Sequence, residues 1–213
     1  MNVALFGATG KTGRYLIDEA LRRGFDVTVF ARSGSSFTNS RVRVVRGDLT
    51  DHALLREAVR SSDAVISALG PTSLQHPKGR PITRATEAII SAMKQENVQR
   101  LIAVSTGTAA DSGDGFDWKI RLPALLIRYV MRSTNDDIQG VAQAVRASEL
   151  EWTTVRVAFL KNRPESRNLN VGLYGHTRHS WTVSREDVAT FMFDQISRGE
   201  FVHQAPGISS REL

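Results

Sequence analysis

The chain has 213 residues, 41% hydrophobic and 23% charged, the size and mix of one ordinary globular domain rather than a disordered, collagen-like or coiled-coil chain. It contains no cysteine, which excludes disulfides, thiolate metal sites and thiol catalysis. The net charge is +6, a balance that suits nucleic acid or a multiply charged phosphate ligand; the basic residues are scattered without interleaved aromatics, so nucleic acid is not the expected partner.

Met1 to Phe6 runs straight into a glycine turn, with no basic leader and no long apolar stretch before it. A secretory signal is therefore not expected, and the expected location is cytoplasmic. Val3 to Phe6 reads as a strand. Residues 12–23 place Tyr15, Leu16, Ala20 and Leu21 at helical spacing, and Gly24 stops the helix. Val27 to Phe30 and Val42 to Val45 are the next strands. A helix over 51–60 follows, with Asp51 in the capping place. Ala64 to Ala68 is a fourth strand, and 82–95 a helix with Ile82, Ala85, Ile89 and Met93 on one face. Leu101 to Val104 is a fifth strand.

Phe116 to Met131 is unusually apolar. Its longest apolar run, Leu122 to Met131, is interrupted by Pro123 and Arg128 and is about half the roughly 20 residues a membrane span needs. No membrane partner is expected. A core helix ranks first for this segment, ahead of a substrate lid or a subunit contact. A helix over 134–148 and a strand from Trp152 to Val157 come next. His176 and His179 have loose ligand spacing but no third ligand nearby, so a solvated loop and no metal are expected. Ser184 caps a helix over 185–197, with Asp187 in the capping-box position.

Strands apolar on both faces, alternating with helices, mean a parallel sheet covered on both sides. The expected fold is α/β: a Rossmann-type doubly wound parallel sheet with helices on both faces. A single domain over 1–213 is expected, with a small carboxyl-terminal substrate-side region. Ligands of such sheets lie beyond the strand carboxyl ends, where the strand order reverses.

The sequence after the first strand is Gly7-Ala8-Thr9-Gly10-Lys11-Thr12-Gly13, a GxxGxxG between strand and helix. Gly7 suits the tight turn, Gly10 the approach of a pyrophosphate, and Gly13 close packing of helix on sheet. The helix amides then face the phosphates, with Thr9 and Thr12 adding hydroxyls and Lys11 charge. Gly10-Lys11-Thr12 imitates the end of a Walker A loop, but Leu5 stands where that motif needs glycine. The second strand ends Phe30-Ala31-Arg32-Ser33, with no carboxylate for a ribose 2′-hydroxyl. Arg32 suits a 2′-phosphate, so NADP(H) is expected over NAD(H).

The glycine loop, Ala31-Arg32, Gly47-Asp48-Leu49-Thr50-Asp51, Ser67-Ala68-Leu69-Gly70 and Val104-Ser105-Thr106 together resemble the atypical short-chain dehydrogenases. Within them the chain is similar to the NAD(P)H-binding group that includes biliverdin reductase B (flavin reductase) and NmrA-like proteins. The likeness continues through Arg146 to Arg156 and Val183 to Ala189, nearly the whole chain. It implies that Asp48 and Leu49 contact adenine. It implies that Ala68, Leu69 and Gly70 line the ribose and pyrophosphate side, and that Ser105 and Thr106 lie by the nicotinamide as the catalytic pair. Asp48 as a turn cap and Ser105 as a strand-end hydroxyl bonded to backbone stand as alternatives.

Two departures shape the expected chemistry. No tyrosine is followed four residues on by lysine, the usual proton donor for carbonyl reduction. The family's Arg-Pro after the sixth strand is Arg156-Val157, and Phe159 stands near where flavin-reductase relatives have histidine. The resemblance implies an NADPH-dependent oxidoreductase passing hydride to a flavin, quinone or similar conjugated acceptor. The alternative is a non-catalytic NADP(H)-sensing NmrA-like regulator that binds a protein partner. The sequence leaves the oligomeric state open.

Overall fold

A computed structural model describes residues 1–71, 76–166 and 168–211, apart from the side chains of Lys119 and Pro123. The elements in chain order are β1 (Asn2–Phe6), α1 (Gly13–Arg22), β2 (Asp26–Arg32), β3 (Arg43–Gly47), α2 (His52–Val59), β4 (Ala64–Ser67), α3 (Pro81–Gln95) and β5 (Arg100–Thr106). Then follow α4 (Trp118–Val130), α5 (Arg132–Arg146), β6 (Glu151–Val157), β7 (Phe159–Lys161), β8 (Leu169–Gly172), β9 (Thr182–Ser184), α6 (Arg185–Arg198) and β10 (Gly207–Ser210).

Hydrophobic periodicity explains the layers. Along β1, Val3 and Leu5 face one side while Ala4 and Phe6 face the other. The first side packs on Leu16 and Ile17 of α1 and on Met192 and Phe193 of α6. The second packs on Leu55 of α2, Ile89 and Met93 of α3 and Val145 of α5. A strand buried on both faces must be apolar throughout, as these are. Asp51 caps α2 by accepting from the amides of Ala53 and Leu54, both at 3.1 Å. Ser184 caps α6 through the Asp187 amide at 2.9 Å.

The sheet order is β3-β2-β1-β4-β5-β6-β10-β8, and β7 pairs with β9 in a separate ladder. The first six strands are parallel, as expected from the sequence. Strands β7 to β10 extend the expected architecture, and β8 runs antiparallel to β10. Three- and four-residue strands are too short to show a period of two.

Segment 116–131 departs from the expected core helix. Ile120, Ala124, Ile127 and Met131 are half-buried, but Trp118, Leu122, Leu125, Leu126, Tyr129 and Val130 are 49% to 70% exposed. The helix has apolar residues on opposite faces, and periodicity alone does not say which face is covered.

Candidate functional site

The strand order reverses between β1 and β4, and the glycine loop leaves β1 at this switch point. Gly7 has φ +76°, and a Cβ there would lie 2.7 Å from the Ala68 carbonyl carbon and oxygen. The loop thus sits directly on the backbone at the end of β4. At Gly13 a Cβ would lie 2.0 Å from the Ala8 carbonyl oxygen, so α1 starts close against the loop only because no side chain intervenes. Gly10 is exposed, and the nearest atom to a Cβ there would be the Gly7 oxygen at 3.2 Å.

The loop is a run of short turns: the Gly10 amide donates to Gly7 O and the Gly13 amide to Gly10 O, both at 3.0 Å. Thr12 makes no side-chain cap on α1. Among the described residues, the amides of Thr9, Lys11 and Thr12 have no hydrogen-bond partner. Exposed donors at a helix N-terminus fit a pyrophosphate, which needs such donors and the positive end of the helix dipole. Thr9 and Lys11 are exposed, and Thr12 half-buried.

Arg32 ends β2 beside Gly47 of β3 and is exposed. Among the described residues no carboxylate pairs with it. Asp48, one residue beyond β3, is also exposed; its carboxylate accepts from the Ser33 hydroxyl at 3.2 Å and its carbonyl from the Asp51 amide at 2.9 Å. The turn bonding matches one of the two roles left open for Asp48 and leaves carboxylate acceptor capacity free. Leu49 is half-buried against the core under α2. Exposed Arg14, which the sequence did not single out, adds a cation at the start of α1, held over Tyr15 at 4.7 Å.

Ala68 and Leu69 are half-buried on opposite core faces, and Gly70 is exposed at the crevice edge. Ser105 and Thr106 end β5 and are half-buried. Strand alternation sends Ser105 to the face of Leu101, covered by α3 and α5, and Thr106 to the face of Ile102, covered by α1 and α6. The two hydroxyls therefore do not converge on one point. Thr106 shares a 2.7 Å hydrogen bond with Thr108, whereas Ser105 has no side-chain partner among the described residues.

The end of β6 is built differently. Arg156 is fully buried. It donates to both carboxylate oxygens of Asp114 at 2.5 and 2.6 Å, to Ala205 O at 2.7 Å and to Ala109 O at 3.0 Å. It also stacks 4.5 Å from the Tyr174 ring centre. Burial pushes the Tyr174 phenol up to about 12, and its hydroxyl donates to Arg156 O at 3.4 Å. His179 packs edge-on to Tyr174 and is 7% exposed, which corrects the expected solvated loop for that residue; His176 is exposed, as expected. Burial lowers the His179 pKa, favouring the neutral ring.

One buried acid escaped the sequence reasoning. Asp137 of α5 accepts from the Ile82 amide at 3.0 Å, the Thr83 amide and hydroxyl at 2.7 Å each, and shares 2.6 Å with His76 Nε2. It caps α3, whose own N-cap Arg80 makes no side-chain bond, and ties down the end of the loop that leaves β4. Its place on the buried stripe with Thr134, Ile138, Val141 and Val145 was the available signal.

Two surface hollows lie elsewhere. One of about 620 Å³ is lined by Arg22, Asp194 and Phe201. Arg22 is roughly 15 Å along α1 from the glycine loop. Another of about 360 Å³ lies at the strand amino ends by Asn2 and Asp26. The candidate site lies along the strand carboxyl ends, where such sheets place their ligands.

Comparison with known proteins agrees with this geometry. Over 121 residues the chain is 29% identical to phenylcoumaran benzylic ether reductase 1 of Arabidopsis thaliana, a stretch covering 51% of this chain and 36% of that protein. The chain therefore spans little more than a third of that relative's length. A short-chain dehydrogenase/reductase from Veillonella parvula, solved with NADP, superposes with a TM-score of 0.78 at 21% identity, over 98% of this chain and 94% of that one. ChuY, an anaerobilin reductase from Escherichia coli O157:H7, gives a TM-score of 0.79 at 19% identity over 100% and 98% of the two chains. Residues 7–198 match the NAD(P)H-binding family, from the first glycine of the loop to the last residue of α6, and the chain belongs to that family.

Proposed function

We propose that the protein is an NADPH-dependent reductase that passes hydride to a flavin, a quinone or a similarly conjugated acceptor. The observation that carries this is where the tyrosines stand. Tyr15 is held by Arg14 on α1, Tyr129 lies on the outward face of α4, and Tyr174 is buried against Arg156. Tyr174 does reach the end of β5, where a Cβ at Gly107 would lie 3.0 Å from its hydroxyl, but it is buried and donates to the Arg156 carbonyl, so no tyrosine is free there as the proton donor that carbonyl reduction requires. A conjugated ring accepts hydride without a positioned acid, because its proton comes from solvent. When bound, NADPH supplies the hydride.

The chain's own residues would bind and orient. The amides of Thr9, Lys11 and Thr12 would hold the pyrophosphate, with Gly10 leaving room. Arg32 would hold the 2′-phosphate, and Asp48 and Leu49 would border the adenine. Ala68, Leu69 and Gly70 would line the middle of the cofactor. Ser105 would face the nicotinamide or the acceptor with a free hydroxyl, while Thr106 would act through Thr108 on the opposite face of the strand. The reductase names of the Arabidopsis and Escherichia coli proteins support a reductase class.

The test is NADPH oxidation with FMN, menadione and dichlorophenolindophenol, beside simple aldehydes and ketones. Turnover is expected with conjugated acceptors only. Tight NADPH binding without turnover on any acceptor would overturn the reading and favour a cofactor-sensing regulator.

A further inference from the structure

The outward face of α4 is not explained by the cofactor crevice. Trp118, Leu122, Leu125, Leu126 and Tyr129 follow helical spacing (i, i+4, i+7, i+8, i+11) and form one stripe. They are 60%, 64%, 49%, 64% and 68% exposed, and Phe116, just before the helix, is 73% exposed. The opposite stripe, Ile120, Ala124, Ile127 and Met131, is half-buried against the body. The helix thus spends one apolar face on the fold and offers a second one outward. A patch of this kind marks an interaction surface.

The charges beside the stripe say what kind. Arg121, Arg128 and Arg132 are exposed, and the sequence from Trp118 to Asn135 contains no acid. Trp and Tyr, each with an apolar body and a polar tip, are the aromatics favoured where hydrocarbon meets water. Among the described residues no helix is long and apolar enough to cross a membrane, and α4 has 13 residues. An apolar face flanked by cations is the pattern of a helix that lies in the plane of a lipid surface.

We propose that α4 docks on the surface of an anionic lipid bilayer, with the Trp118–Tyr129 stripe in the acyl boundary and the arginines among the headgroup phosphates. A second copy of the chain is a poorer occupant. A two-fold contact would set this face against itself, bringing Arg121 and Arg128 together with no acid on α4 to meet them. A lid is poorer too, because the stripe points away from the body that a lid would cover. The expectation of no membrane partner rested on the lack of a span, and a surface helix needs none. This inference does not rest on the reductase reading.

The experiment is co-sedimentation of the full chain with vesicles of phosphatidylcholine alone and with roughly one third phosphatidylglycerol. Binding is expected to be at least about tenfold stronger to the anionic vesicles and to weaken as salt is added. The double variants Leu122→Ser with Leu126→Ser and Arg121→Glu with Arg128→Glu should each lose at least about tenfold in binding. Both pairs are exposed, so melting temperature and NADPH affinity should hold, which separates lost docking from lost folding. Failure to bind anionic vesicles, or equal binding by the variants, overturns the proposal. A solution dimer that dissociates in the Leu122→Ser, Leu126→Ser variant would do so as well, by identifying a second copy as the occupant.

Discussion

Two arginines at strand carboxyl ends are used in opposite ways. Arg156, next to last in β6, has no exposed surface and is held by a bidentate carboxylate, two carbonyls and an aromatic face. Arg32, last in β2, is exposed and meets no carboxylate among the described residues. A guanidinium buried this way must be satisfied by the fold, since an unpaired buried charge is severely destabilising. One left in solvent costs the fold little and keeps its fork for a ligand. The same contrast divides the sheet. The β1–β2 end presents unpaired amides and cations, whereas at the β6 end Arg156, Asp114 and Tyr174 are bonded within the protein.

The strongest way to break the contrast is Asp114→Ala, which strands Arg156. A loss of about 3 to 5 kcal/mol is expected in chemical unfolding, whereas Arg32→Ala should leave the unfolding curve unchanged. Asp137→Asn comes next, since it puts an NH2 in place of one carboxylate oxygen and so sets a donor against two of the four donors that meet this side chain. About 1.5 to 3 kcal/mol should be lost at neutral pH. Burial alone would raise the Asp137 pKa, but hydrogen bonds from Thr83, Ile82 and His76 outweigh it and hold the value below normal. Its stabilisation is therefore complete above the unfolded value of about 3.9 and is lost as pH falls through the folded one. The gap between wild type and Asp137→Asn, followed by denaturant titration, should close in acid; a constant gap would contradict the network.

On the ligand side, Gly10→Val puts a branched side chain where the proposed reading lays the pyrophosphate. NADPH affinity should fall at least about tenfold, or 1.4 kcal/mol, with the melting temperature nearly intact. Unchanged affinity in a titration would remove the phosphate from this loop. The smallest effect belongs to Asp51→Ala, which removes the cap of α2 and should cost about 1 kcal/mol in thermal unfolding without changing cofactor affinity.

The part of the fold built from local signals was legible in the sequence. The glycine loop, the parallel strands through β6 and the caps Asp51 and Ser184 all depend on residues within a turn or two of one another. Strands β8 and β10 depend instead on a pairing between Leu169–Gly172 and Gly207–Ser210, two short segments with no strong β signature of their own. The burial of His179 arises from Tyr174, which reaches it across a turn. The outward turn of Leu122 and Leu126 had no signal at all, since an apolar helix face looks the same covered or bare. In the site, Gly7 and Arg32 were read from strand ends, whereas Asp48, Ala68 and Ser105 came from the family resemblance and agree with the strand-end rule. The divergence of Ser105 and Thr106 follows from alternation within β5, once the strand is seen to run through both.

The central claim is that Arg32 is held free for a 2′-phosphate, and dissociation constants for NADPH and NADH on wild type and Arg32→Ala test it directly. A charge-assisted pair contributes roughly 1.5 to 3 kcal/mol, so the substitution should weaken NADPH about ten- to a hundredfold and leave NADH almost unchanged. Equal wild-type affinity for the two cofactors, or an equal loss of both in Arg32→Ala, would contradict the account.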